Sequence, residues 1–296
     1  MKQRILHHGQ LQFTAFEEGQ GTTVFLLHGF PDHARSFRLQ MPALAKAGYR
    51  AISPMMRGYE PSSEPQVGNY ELSSIAKDIT AFIDELDVGK VHLVGHDWGA
   101  VIAYIVAANA PEKLLSLTTL AVPHPGRLLR EVWFKRPGQL INSWYMLFFQ
   151  LRGVAEFVLE RRDWAFVQWL WQQWSPGWKL SEVEWSALKS TFAQPGVKHS
   201  ALQYYRSLML PRSLPELKMT MQAVNKPIHV PTLAITGARD RCMDTRLHSD
   251  LMRPSDFPRG LIVERIQDAG HFVHQEQPDA VNRLLLKHFD NLRPSL

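Results

Sequence analysis

The 296-residue chain is 45% hydrophobic, a globular composition with room for one large core or two unequal domains. Its net charge of +5 comes from 33 basic and 28 acidic residues mixed along the chain, which argues against a nucleic-acid partner. No apolar run reaches the roughly 20 residues that span a bilayer, the N-terminus MKQRILHHGQLQF lacks a signal-peptide core, and the single Cys242 closes no internal disulfide, so a soluble chain without a membrane partner, in a reducing cytoplasm, is expected.

The first short apolar run rich in β-branched and large residues is TTVFLLHGF (22–30), a buried strand ending at glycine. RSFRLQMPALAKAG then carries helical spacing, YRAISP reads as a strand, and SSIAKDITAFIDELDV is an amphipathic helix before the strand VHLVGHDWG (91–99). This β-α-β-α-β order predicts a parallel sheet with crossover helices, an α/β fold. AVIAYIVAANAP continues as an apolar helix stopped by Pro111, and KLLSLTTLAVP supplies another strand. Between about Pro125 and Lys226 the alternation lapses and eight of the nine tryptophans cluster, which predicts a helical insertion over 125–225 between core segments 1–124 and 226–296. Strand-helix grammar resumes at VPTLAITGARD, GLIVERIQDAGH and QPDAVNRLLLKHF.

GHDWG (95–99) joins a strand to a helix with the spacing of a nucleophile elbow, whose glycines allow a sharp turn that exposes the central side chain, here Asp97. Asp240 ends the strand-like LAITGARD and His271 follows LIVERIQDAG, so nucleophile, acid and histidine occur in the chain order such a fold requires. His271 would be the base and Asp240 its orienting partner, with Asp244 as a competing acid. HGFP (28–31) places a turn where the Phe30 N–H can join the Trp98 N–H in an oxyanion hole, with His28 a structural support for the turn. His96, Trp98, Phe30 and Pro31 are expected to line the pocket. The duller readings are a helix cap for Asp97, a satisfied core histidine for His271, and packing for Trp98 and the other tryptophans.

HGFPD, RGYEPSS, GHDWGA, TGARD and GHFVHQEQPD together resemble the α/β-hydrolase-fold epoxide hydrolases, in register over nearly the whole chain. The resemblance implies a helical cap over a mostly parallel sheet, an aspartate nucleophile and no cofactor or metal. It also implies two cap tyrosines that donate hydrogen bonds to the epoxide oxygen: SWYMLFFQ and ALQYYRS point to Tyr145 and Tyr205, with Tyr204 the alternative if the register shifts. Glu60 in RGYEPSS departs from the family's usual glycine.

An aspartate can open a strained ring and leave an ester whose carbonyl a His271-activated water can attack, whereas serine would leave an ether. The expected partners are therefore a small epoxide and water, and a homodimer stays open. Haloalkane or haloacid dehalogenase, and a non-catalytic binding relative of the same fold, are the competing functions. Phe30 and Trp98 stand where dehalogenases carry asparagine or arginine.

Overall fold

The structure, a computed structural model, describes residues 1–211 and 213–292. Its sheet contains β1 (Lys2–His8), β2 (Leu11–Gly19), β3 (Thr22–Leu27), β4 (Tyr49–Pro54), β5 (Val91–His96), β6 (Leu114–Leu120), β7 (Thr232–Gly237) and β8 (Leu261–Ile266), in the order β1-β2-β4-β3-β5-β6-β7-β8. β1 and β2 form an antiparallel hairpin, β2 meets β4 antiparallel, and every pair from β4 to β8 is parallel. The hairpin adds to the expected strands, and its signal is the alternation that buries Phe13, Ala15 and Glu17 of β2.

The central strands are buried on both faces, as crossover connections require. In β3, Phe25 and Leu27 join a core with α2 (Leu72–Leu86) and α3 (Trp98–Asn109), while Val24 and Leu26 join the opposite core with α1 (Met41–Lys46) and α13 (Pro278–Asp290). Helix α2 sends Ile75, Ile79, Phe82 and Ile83 inward at helical spacing. The helix expected across 35–48 is divided into a 3₁₀ turn, Ala34–Phe37, and α1. Pro42, which has no N–H to donate to a preceding turn, fits only at the start of the second piece.

Between β6 and β7 the chain is helical: α4 (Pro125–Lys135), α5 (Gly138–Asn142), α6 (Trp144–Phe148), α7 (Val154–Trp174), α8 (Glu182–Phe192), α9 (Val197–Met209) and α10 (Leu214–Val224). Helix α7 is interrupted at 161–164, where Arg162, Asp163 and Trp164 adopt positive φ. The tryptophans divide: Trp164, Trp171, Trp174 and Trp185 are buried, whereas Trp133 and Trp144 face solvent. After β7 come α11 (Arg246–Leu251) and α12 (Val273–Glu276), which sets the loops after β7 and β8 beside the end of β5.

Candidate active site

β5 ends at His96 and α3 begins at Trp98, so Asp97 occupies the junction with φ 50° and ψ −120°. That backbone is strained for a side chain bearing Cβ and persists only because its flanks hold it. A Cβ on Gly95 would strike the Gly99 carbonyl, and one on Gly99 would strike the Leu27 carbonyl. Both glycines let the turn pass tightly beside β3, and the turn presents the Asp97 carboxylate at the carboxyl end of the parallel strands.

Asp97 Oδ1 accepts a 2.8 Å hydrogen bond from the Phe30 N–H, and Oδ2 lies 3.6 Å from His271 Nε2. On the far side of the imidazole, Nδ1 is 2.9 Å from Asp240 Oδ2. Asp240 Oδ1 is fixed in turn by the N–H groups of Cys242 and Met243, at 2.8 and 2.9 Å. The Trp98 N–H belongs to the first turn of α3, where backbone donors lack an intrahelical acceptor. Asp244 turns outward, its carboxylate held by the Arg246 guanidinium at 2.7 Å, so Asp240 is the acid in contact with His271.

Burial alone would raise the Asp97 carboxyl, but the hydrogen bond and charge of His271, with help from His96 and the Phe30 N–H, hold it below the ordinary carboxylate value. Burial alone would lower His271; Cys242, Asp240 and Asp97 outweigh it and set the imidazole well above its usual value. The resting arrangement is therefore an ion pair: a carboxylate facing an imidazolium that a second carboxylate orients.

The helices bring Tyr145 and Tyr205 over Asp97, with ring centroids 5.8 Å apart. Burial raises both phenols well above their ordinary value, so each carries its proton. Their hydroxyls differ: Tyr145 OH is 3.3 Å from Cys242 Sγ, while Tyr205 OH is buried without a hydrogen-bond partner among the described residues. Tyr204 points elsewhere, donating at 2.9 Å to the Arg57 carbonyl, which separates the two neighbours.

A cavity of about 110 Å³ is lined by Asp97, Trp98, Tyr145 and Tyr205 together with apolar side chains of α3, α4, α6, α9 and α10, such as Val101, Leu128, Met146, Leu208 and Met221. Trp98 is among its lining residues, whereas His96, Phe30 and Pro31 are not. The Phe30 ring is fully buried against Phe149, Phe192 and Tyr205, and the Pro31 carbonyl accepts from Trp171 Nε1 at 2.8 Å. His96 lies beneath the site, Nε2 3.0 Å from the His271 carbonyl, and burial pushes it down to about 3. Its neutral ring supports the backbone of His271 and stays out of contact with the cavity. His28 is likewise structural: burial lowers it to about 4, and Nε2 accepts from the Met56 N–H at 3.0 Å. Glu60 anchors its loop to β2 by accepting from the Thr14 N–H at 2.5 Å.

Residues 22–278 match the profile of the alpha/beta hydrolase fold family. The chain belongs to that family. Within it, the chain is 31% identical over 95% of its length to the AB hydrolase superfamily protein YfhM of Bacillus subtilis, covering 94% of that protein. It is 30% identical over 93% of its length to human epoxide hydrolase 4, covering 74% of that chain. Among solved structures, a putative epoxide hydrolase from Klebsiella pneumoniae superposes with a TM-score of 0.83 at 26% identity, covering 97% of each chain. The mostly parallel sheet carries Asp97 on the turn between a central strand and the following helix.

Two features of the site escaped sequence reasoning. Cys242 looked like an isolated cysteine, yet its thiol touches the Tyr145 hydroxyl and its N–H holds Asp240. Behind the imidazole, Asp32 Oδ2 takes the Ser36 hydroxyl at 2.5 Å and Gln275 Nε2 at 2.8 Å, and Ser36 Oγ lies 2.6 Å from His274 Nε2. This buried cluster joins the last letter of HGFPD to the middle of GHFVHQEQPD, two motifs whose contact only the fold discloses.

Proposed function

We propose that the protein hydrolyses a small apolar epoxide to a vicinal diol through a covalent ester on Asp97. The observation that carries this reading is an ionised aspartate and two protonated tyrosines lining one largely apolar cavity, with a buried, charged histidine 3.6 Å from the aspartate. The likeness to proteins named epoxide hydrolases supports the same class. In this reading residues 125–225 form a cap on a core made of 1–124 and 226–296, and the cap contributes the leaving-group chemistry.

Because the Phe30 N–H occupies Oδ1, Oδ2 is the free nucleophile. Its lone pair attacks an epoxide carbon, the carbon–oxygen bond breaks, and the ring oxygen takes a proton from Tyr145 or Tyr205 as it becomes an alcohol. Esterification removes the carboxylate charge that had stabilised the imidazolium, so His271 gives its proton back to the tyrosinate and becomes a base for water only after the first step. The activated water attacks the ester carbonyl, whose oxygen remains on the Phe30 N–H, with the Trp98 N–H as second donor. Collapse of that tetrahedral centre passes the hydroxyl proton of the new carboxyl group to the departing oxygen, which expels the diol and restores the Asp97 carboxylate facing an imidazolium that keeps the proton taken from water.

The assay that tests the reaction class is turnover of styrene oxide beside a chloroalkane of similar size. Diol formation from the epoxide and no chloride release are expected. Chloride release without diol formation would assign the aspartate to dehalogenation and leave the tyrosines without a leaving-group oxygen to protonate.

A further inference from the structure

The helical stretch carries a surface that the reaction does not use. Trp133, Phe134, Ile141, Trp144, Leu147 and Phe157 are exposed by 61%, 73%, 76%, 43%, 66% and 60%, all within one short run of chain from α4 into α7. Single exposed apolar residues are ordinary, but a group of large ones with several rings marks a contact surface. Trp144 packs against Trp169 with centroids 6.2 Å apart, so this surface is continuous with the aromatic side of α7.

Its charges are one-sided. Glu131, Glu156, Glu160 and Asp163 are each paired, with Arg127, Arg206, Lys198 and Lys189 respectively. Arg130, Arg152, Arg161 and Arg162 meet no carboxylate among the described residues, and Arg161 lies over the Phe157 ring at 5.5 Å. The uncompensated charge in this stretch of chain is therefore positive. A second copy of the chain docked on this face would bring like charges together, whereas an anionic lipid surface neutralises them and accepts tryptophan and phenylalanine at its interface.

The face also adjoins the cavity mouth. Leu129 lines the cavity and is 41% exposed, and it stands one helical turn from Trp133 on α4. We propose that this face of α4 to α7 docks the protein on an anionic lipid surface, with the cavity mouth turned toward the bilayer. Docking stands on the surface alone; delivery of a membrane-dissolved epoxide into the cavity rests additionally on the function proposed above. Among the described residues no helix is long and apolar enough to cross a membrane, so this contact lies in the interface. The absence of a spanning segment, which led the sequence to suggest no membrane partner, does not bear on it.

The test is co-sedimentation of the full chain with vesicles of phosphatidylcholine alone and of phosphatidylcholine mixed with phosphatidylglycerol, which needs no catalytic turnover. Binding to the mixed vesicles, weakened by salt, is expected. Each surface arginine contributes roughly fivefold in affinity, so Arg152→Glu with Arg162→Glu should weaken binding by about 25-fold or more. Trp133→Ser with Phe134→Ser should weaken it as well, while circular dichroism and melting report an intact fold. No sedimentation above the lipid-free control, or binding indifferent to both double variants, would overturn the proposal. So would a dimer in ultracentrifugation that Trp133→Ser with Phe134→Ser dissociates, since the face would then belong to a second copy.

Discussion

The two halves of the site are built by different physics. On the sheet side, Asp97, Asp240 and His271 sit within a few residues of strand ends, and backbone groups a short distance away fix them: the Phe30 N–H, the turn after Asp240 and the glycines around Asp97. On the helical side, Tyr145 and Tyr205 reach Asp97 from elements about 60 residues apart, and their placement depends on packing among Phe30, Phe149 and Trp174. The halves meet at the end of α7, where the Trp174 carbonyl accepts from the His271 and Arg241 N–H groups at 3.2 and 3.3 Å. A helix C-terminus that needs donors is thus completed by the loops bearing Asp240 and His271. Local backbone geometry fixes one half, and ring packing between distant helices fixes the other.

The sharpest break in this contrast comes from Asp97→Ala, which removes the proposed nucleophile and should lower turnover by about 10⁶-fold with the fold intact, as steady-state diol formation will show. Asp240→Asn should cost about 10⁴-fold by misorienting the imidazole, while Asp244→Asn, already facing solvent and Arg246, should change turnover by no more than about twofold. Equal effects from the two would mean that contact with His271 does not matter. On the helical side, Tyr145→Phe with Tyr205→Phe should slow ring opening by about 10²-fold to 10⁴-fold in stopped-flow measurements, while the ester hydrolysis step stays near wild type. Tyr204→Phe removes only a hydrogen bond to the Arg57 carbonyl, so it should cost about 1 kcal/mol of stability and leave turnover unchanged.

The smallest effect concerns protonation. Native neighbours raise His271 above its unfolded value, so its contribution to stability is complete below that value and fades as pH climbs through the raised one. Asp97 is lowered, and its contribution is present above the ordinary carboxylate range and fades as pH falls through the lowered value. Removing the Asp97 charge withdraws one source of the histidine's elevation, so NMR of the imidazole should show a lower titration midpoint in Asp97→Ala than in wild type. An unchanged midpoint would place the elevation entirely on Asp240 and Cys242, and His271 would then not be released as a base when the ester forms.

How far the sequence could be read follows the same division. GHDWG, TGARD and GHF declare their side chains because each sits at a strand end whose local backbone is set by nearby residues. The cap tyrosines came only by resemblance, since in a segment crowded with aromatic rings neither spacing nor composition tells a cavity ring from a packed one. Phe30, Pro31 and His96 were expected at the pocket because they border the elbow in sequence, yet a strand end has two sides and these residues fell on the buried one. Cys242 was invisible for the opposite reason, since its role depends on a partner 97 residues away. The N-terminal hairpin was not read from the sequence, because its half-buried, alternating strands are quieter than the fully apolar runs of the centre.

The central claim, a covalent ester on Asp97, is tested most directly by a single turnover in oxygen-18 water with enzyme in excess over epoxide. The diol from that turnover should be unlabelled, because its new oxygen comes from the Asp97 carboxylate, and the label should appear in the peptide containing Asp97. Label found directly in the first diol, with Asp97 unlabelled, would mean that water attacks the epoxide itself and that the carboxylate never forms the ester.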